Sequence, residues 1–218
     1  MRVQGSGEES TGMKTEKEIV LVLGGTRSGK SSYAQRLAES RWRHPLYLAT
    51  AETLDDEMAN RVKLHRQQRG PHWGCAEEPL DVARIIRTTT PNRDGVLLDC
   101  ATLWLTNVLL KEGELSVKSR KQDLIAALRE SQTDVIIVSN EVGMGIVPDS
   151  PLGRNFRDLQ GWLNQDLAAI ADTVLFIIAG LPLVLKGTLP QSTGSIDKHP
   201  QNREELSKTG HLTPSVAI

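Results

Sequence analysis

Ile19-Val20-Leu21-Val22-Leu23-Gly24-Gly25-Thr26-Arg27-Ser28-Gly29-Lys30-Ser31 is the stretch from which the rest of this 218-residue chain is read. Five apolar, mostly β-branched residues make a buried strand; G-x-x-x-x-G-K-S follows; Ser32-Tyr33-Ala34-Gln35-Arg36-Leu37-Ala38 then continues as a helix. Strand, glycine-rich loop and helix together are the setting of a phosphate-binding P-loop. The chemistry asks for these residue types. Glycines let successive backbone N–H groups turn toward phosphate oxygens, and the helix N-terminus adds its positive dipole end. The candidate cradle is therefore Gly24, Gly25, Thr26, Arg27, Ser28, Gly29, Lys30 and Ser31. Lys30 reaches the β- and γ-phosphates in such a loop, and the Ser31 hydroxyl ligates Mg²⁺.

Length suits one α/β domain with a substantial core. Basic and acidic residues number 26 and 27, a net charge of −1, so no global field invites a nucleic-acid partner. Cys75 and Cys100 stand far apart and outside any metal-ligand spacing, which points to a reducing, cytoplasmic setting. Residues 1–17 are polar and rich in Gly, Ser and Glu; they read as a flexible extension without a signal peptide. No run approaches the length of a membrane span.

Further along, 45–50 reads as a second short strand. A helix spans 55–69, opening on Asp55-Asp56-Glu57 and stopped by Gly70-Pro71, with Leu54, Met58 and Val62 as its apolar stripe. His72-Trp73 and Glu77-Glu78 fall in the connection after it. Helices are expected at 80–86, 102–110, 118–130 and 154–171. Strands are expected at 95–99, 135–139 and 174–178, with an edge strand at 183–185. Short apolar strands alternating with helices predict an α/β, P-loop NTPase-like fold: a mainly parallel sheet with helices on both faces. The folded domain is expected over 18–187 and a disordered polar tail over 188–218. In such sheets the site gathers at the carboxyl ends of the strands, here Gly24 to Ser31, Ala49, Thr50 and Ala51, Asp99, and Asn140-Glu141.

Asp99, closing an apolar strand, is placed like the acid that holds Mg²⁺ beside a P-loop, although an acid there can also merely cap a loop. His65 shares an i, i+4 series with Glu57, Arg61 and Arg69. A histidine on a polar helix face is ordinarily just solvated. Two arginines one turn to either side favour its neutral, nucleophilic form and can hold phosphate. Triphosphate binding and attack on an α-phosphate are both open on these residues. Glu57, Glu77 and Glu141 default to surface salt bridges, and Trp73 to closing over the core.

The P-loop, Tyr47-Leu48-Ala49-Thr50-Ala51, Asp55-Asp56-Glu57-Met58 with Arg61 and His65-Arg66, and His72-Trp73 form a set with Asp99-Cys100, Leu103 to Asn107, and Ser139 to Pro148. With Arg154, Phe156-Arg157-Asp158 and Asn164-Gln165, that set resembles the bifunctional adenosylcobinamide kinase/adenosylcobinamide-phosphate guanylyltransferase family of cobalamin biosynthesis, over about residues 18 to 187. The resemblance implies phosphorylation of adenosylcobinamide by ATP or GTP. It further implies transfer of GMP from GTP to the product through a guanylylated histidine, with pyrophosphate released. His65 matches that histidine; some members carry two adjacent histidines there, and this chain has Leu64-His65. Arg66, Gln67, Gln68, Arg69 and Glu77 are implied nucleotide contacts, Mg²⁺ the implied metal at Ser31 and Asp99, and a homotrimer the implied assembly. Thr26 stands where the family pattern has Ala, and 188–218 has no counterpart. The competing readings are another small-molecule or nucleoside P-loop kinase without a covalent intermediate, and a P-loop switch module.

Overall fold

The computed structural model describes residues 17–51, 70–89 and 93–190. Residues 1–16 of the extension expected over 1–17, the helix expected over 55–69, and residues 191–218 of the tail expected over 188–218 lie outside the described residues. In chain order the elements are β1 (Ile19–Gly24), α1 (Lys30–Arg41), β2 (Leu46–Ala49), β3 (Gly74–Glu77), α2 (Val82–Thr88) and β4 (Gly95–Asp99). There follow α3 (Ala101–Glu112), α4 (Glu114–Glu130), β5 (Asp134–Asn140), α5 (Pro151–Ile170), β6 (Thr173–Ile178) and β7 (Leu181–Lys186).

The strands make one sheet in the order β3-β2-β4-β5-β1-β6-β7. Every pairing is parallel except β6 with β7, which is antiparallel. The central strands carry near-continuous Val, Ile and Leu because both their faces are covered. Side chains alternate across the sheet with period two. Leu21, Leu23, Leu98, Val135 and Ile137 therefore pack against α2, α3, α4 and α5. Val20, Val22, Leu97, Ile136 and Val138 pack against α1, through Ala34, Leu37 and Ala38. Each such fully buried aliphatic side chain stabilises the fold by about 1.5–3 kcal/mol. The expectation of helices on both faces of a mainly parallel sheet is met.

Local differences have local causes. Gly74–Glu77 was expected to be connection and is strand: with one residue that favours strand poorly after another, only its parallel pairing with β2 makes it one. The helix expected from 154 begins a turn earlier, because the Ser150 side chain accepts from Gly153 N–H at the cap and Pro151 supplies a preset first turn. The edge strand runs over 181–186 rather than 183–185. Ala179 and Gly180 turn it, both at positive φ (52° and 82°), in a two-residue hairpin.

Candidate active site

The sheet register brings the site together before any side chain is considered. Glu77, Ala49, Asp99 and Val138 are successive Cα partners across β3, β2, β4 and β5, and Gly24 pairs with Asn140 one strand further on. The carboxyl ends of five strands thus end in one row beside the amino end of α1. Two glycines of the loop are needed as glycines. A Cβ on Gly24 would meet Ser28 Oγ at 2.5 Å and the Ile177 carbonyl oxygen at 2.7 Å. Gly29 holds φ of 92°, and a Cβ there would press on Gly180 Cα at 3.2 Å. The loop is closed by Ser28 N–H donating to Gly25 O at 3.2 Å, and held from outside by Gly180 N–H donating to Ser28 O at 2.8 Å.

Lys30 is buried and donates to Gly25 O at 3.1 Å, folded back along the loop. Burial pushes its ammonium pKa below the usual lysine value, with Cys100 and Asp99 acting in the opposite direction. Burial also pushes the Cys100 thiol up to about 11, so at neutral pH the anion facing Lys30 is Asp99. Ser31 Oγ donates to Asp99 Oδ1 at 3.3 Å, and Tyr47 OH donates to Asp99 Oδ2 at 3.1 Å. Ser28 Oγ is buried without a hydrogen-bond partner inside the loop. A desolvated cation, an orphaned hydroxyl and turned backbone N–H groups fit an anion with several acceptor oxygens. The hydroxyl and carboxylate of Ser31 and Asp99 are hard oxygen donors that fit Mg²⁺.

Thr50 is buried behind this row. Its Oγ1 donates to Cys100 O at 2.7 Å and accepts from Cys100 N–H at 2.9 Å, while its own N–H donates to Asp99 O at 3.3 Å. Asn107 on α3 donates to Thr50 O at 2.8 Å and to Pro79 O at 3.1 Å, tying β2 and the β3–α2 connection to α3. Ala49 and Thr50 therefore belong to the framework under the site, with Ala51 following at its edge; Glu77 is exposed at the end of β3. Of the expected site residues, Gly24 to Ser31, Ala49 to Ala51, Glu77 and Asp99 lie along one row of strand ends. His65, Arg66, Gln67, Gln68 and Arg69 lie outside the described residues.

Several residues of the site had been assigned no role from sequence. Tyr47 orients Asp99; Asn107 ties the framework; Ser139, Thr102, Gln160 and Asn164 form a buried polar group behind β5. A signal was present for the last two, since Gln160 and Asn164 sit one helical turn apart on the same face of α5 as apolar Leu163 and Leu167.

Residues 20–185 match the family model described as CobU: cobinamide kinase / cobinamide phosphate guanyltransferase. The chain is 43% identical over 167 residues to the bifunctional adenosylcobalamin biosynthesis protein CobP of Pseudomonas aeruginosa, covering 77% of this chain and 96% of that one. It is 40% identical over 181 residues to the bifunctional adenosylcobalamin biosynthesis protein CobU of Escherichia coli, and 39% identical to that of Salmonella typhimurium, covering in each case 77% of this chain and 99% of the relative. A solved structure of an ATPase from the type III secretion system of pathogenic bacteria superposes with a TM-score of 0.47 at 12% identity, over 77% of this chain and 56% of that one.

Proposed function

The chain belongs to the cobinamide kinase / cobinamide phosphate guanyltransferase family, a family of bifunctional enzymes, and on that premise we propose how its residues divide the two reactions. The observation that supports the kinase assignment is the cradle itself: buried Lys30 at the P-loop, with Ser31 and Asp99 bonded to each other 3.3 Å apart at its mouth. The loop amides and Lys30 bind the β- and γ-phosphates of ATP or GTP. Ser31 and Asp99 hold Mg²⁺, which when bound neutralises phosphate charge. Tyr47 keeps the Asp99 carboxylate turned toward Ser31. The substrate hydroxyl of adenosylcobinamide attacks the γ-phosphorus, the bond to the β–γ bridging oxygen breaks, and the nucleoside diphosphate leaves. Positioning and charge neutralisation supply most of the acceleration.

The guanylyl half demands covalent chemistry, and its proposed nucleophile is His65. An imidazole nitrogen attacks the α-phosphorus of GTP and pyrophosphate leaves; the phosphate of cobinamide phosphate then displaces the imidazole, giving adenosylcobinamide-GDP. Arg66, Gln67, Gln68, Arg69 and Glu77 are proposed to contact that nucleotide. This assignment is supported by the sequence match and by the i, i+4 spacing of Arg61, His65 and Arg69 in the sequence. A homotrimer is proposed as the working assembly. It is supported by the apolar strand β7, at the edge of the sheet among the described residues, where Leu181 is 72% and Leu183 52% exposed. A cytoplasmic setting belongs to the same proposal and is supported by two free thiols, Cys75 exposed and Cys100 buried.

The test uses two labels. With adenosylcobinamide and γ-labelled ATP, label should move to the corrinoid; with α-labelled GTP, acid-labile, alkali-stable label should stay on His65 after denaturation. His65→Ala should lose the adduct and all GMP transfer while keeping kinase turnover. Equal loss of both activities in that variant would make His65 structural, and no adduct on wild type under conditions where GTP binds would leave a kinase without a covalent intermediate.

A further inference from the structure

Behind the carboxyl end of β5 the hydrogen bonds close into a ring. Asn140 N–H donates to Thr102 Oγ1 at 2.8 Å. Thr102 Oγ1 lies 3.4 Å from Ser139 Oγ, and Ser139 Oγ donates to Asn164 Oδ1 at 2.7 Å. With the serine proton committed to Asn164, the threonine hydroxyl is the donor of the middle bond. Asn164 Nδ2 returns to Asn140 O at 3.0 Å. Gln160 Nε2 braces the ring from α5, donating to Ser139 Oγ at 3.0 Å and Asn164 Oδ1 at 2.9 Å. Thr102, Ser139, Gln160 and Asn164 are all buried. Both peptide groups of Asn140 are thereby fixed by side chains from two different helices. The next N–H, that of Glu141, donates to Gly24 O at 3.1 Å and locks the same strand end to the start of the P-loop.

So much polar structure behind one strand tip needs a reason, and strand alternation supplies it. Val135 and Ile137 face α3 to α5, and Ser139 follows in that row. Ile136 and Val138 face α1, and Asn140 follows in theirs. Leu97 shares that α1-side face, so Asp99 ends on it as well, as does Gly24 after Val20 and Val22. Asn140 thus stands on the P-loop side of the sheet, on the strand between the one bearing the loop and the one bearing Asp99. Its Oδ1 is buried and has no hydrogen-bond partner. A buried amide oxygen without a donor is costly in a folded protein, and one held beside a phosphate cradle calls for a donor that arrives with the substrate.

We propose that Asn140 binds the alcohol that receives the γ-phosphoryl group: its Oδ1 accepts the hydrogen bond of the substrate hydroxyl and aims that oxygen at the nucleotide, while Thr102, Ser139, Gln160 and Asn164 act as positioning residues that hold Asn140 still. The inference rests on the kinase half of the proposed function and adds its acceptor site. In the step, the hydroxyl oxygen forms the new bond to phosphorus, the bond to the β–γ bridging oxygen breaks toward the nucleoside diphosphate, and the hydroxyl proton is released to solvent. The amide orients the oxygen and takes no proton.

The test separates acceptor alignment from nucleotide binding. Asn140→Ala should lower the kinase kcat with adenosylcobinamide by about 10²-fold, with ATP affinity and GMP transfer to preformed cobinamide phosphate each within about threefold of wild type. Thr102→Val, which removes the bridging hydroxyl, should lower kinase kcat in the same direction, and Thr102→Ser, which retains it, should restore most of the loss. Unchanged kinase kcat in Asn140→Ala, beside an active wild type, overturns this inference alone. Parallel loss of ATP binding and both half-reactions also overturns it and makes the ring purely structural. A wild type that fails to phosphorylate cobinamide at all removes the proposed function and this acceptor site with it.

Discussion

Lys30 is a cation held in a place that disfavours cations, and the direction of its pKa shift makes that testable. In the free protein burial lowers its pKa from 10.5. Nucleotide phosphates oppose that shift, so binding takes up a proton wherever free Lys30 is already neutral and bound Lys30 is not. Affinity for Mg²⁺-nucleotide should therefore be flat below the free-protein pKa and fall as pH rises through it, by up to about tenfold per pH unit. Calorimetric titration with ATP should show this in wild type and not in Lys30→Arg, whose guanidinium stays charged. Asp99 supplies the second residue-scale prediction. Tyr47→Phe removes the hydroxyl that fixes one of its carboxylate oxygens, and the loss of such outer partners weakens metal sites by about 10–100-fold. A Mn²⁺ titration read by electron paramagnetic resonance in the presence of nucleotide should weaken accordingly, with the thermal midpoint of the protein unmoved. Lys30, Ser31 and Asp99 were legible in sequence because motif spacing and strand ends identify them. Tyr47, Asn107 and Asn140 were quoted in the family resemblance but without these contacts, since their roles arise from neighbours 52, 57 and 24 or more residues away in the chain.

Elements in this fold are arranged to hold the loop rather than merely to carry it. The β6–β7 turn contacts the P-loop backbone directly, through Gly180 N–H on Ser28 O at 2.8 Å and the close approach of Gly29 to Gly180. Gly29→Ala meets both a left-handed φ of 92° and this contact, so it should cost stability by about 1–3 kcal/mol and lower nucleotide affinity together. Urea denaturation and ATP titration of the same preparation check it; full affinity in the variant would show that the turn is not needed to shape the cradle. The element pattern itself was largely readable. Strands of Val, Ile and Leu announced β1, β4, β5 and β6, and good helix formers announced α4. Strand β3 was not, because Gly74-Cys75-Ala76-Glu77 carries no periodicity of its own and owes its form to pairing with β2. The start of α5 was missed because a Ser-Pro cap, not an apolar stripe, sets it.

At the scale of the whole molecule, the antiparallel edge of the sheet is the surface that asks for a partner. Among the described residues, strand β7 is the last of the sheet and presents Leu181, Leu183, Val184 and Leu185 to solvent on both of its faces. An isolated domain with such an edge is liable to pair with others, and a closed ring of copies satisfies the edge without endless growth. From sequence the edge strand was legible and, through the family resemblance, a trimer was expected; the exposure was not legible, because it depends on which faces the helices leave uncovered. Leu183→Glu with Leu185→Glu places two charges on that strand while leaving its turn and its pairing with β6 intact. Removing each leucine from a buried interface forfeits about 1.5–3 kcal/mol, before any charge repulsion is added. Sedimentation equilibrium should then find wild type as a trimer and the double variant as a monomer, both with native circular dichroism. Because the β6–β7 turn also touches the P-loop, the monomer should bind nucleotide more weakly as well. If nucleotide-binding or catalytic groups come from a neighbouring copy, GMP transfer should fall further and recover with rising protein concentration in a single Leu183→Glu variant. A double variant that stays trimeric would move the interface off β7 and onto another exposed apolar surface, such as Met144, Ile146 and Val147 after β5.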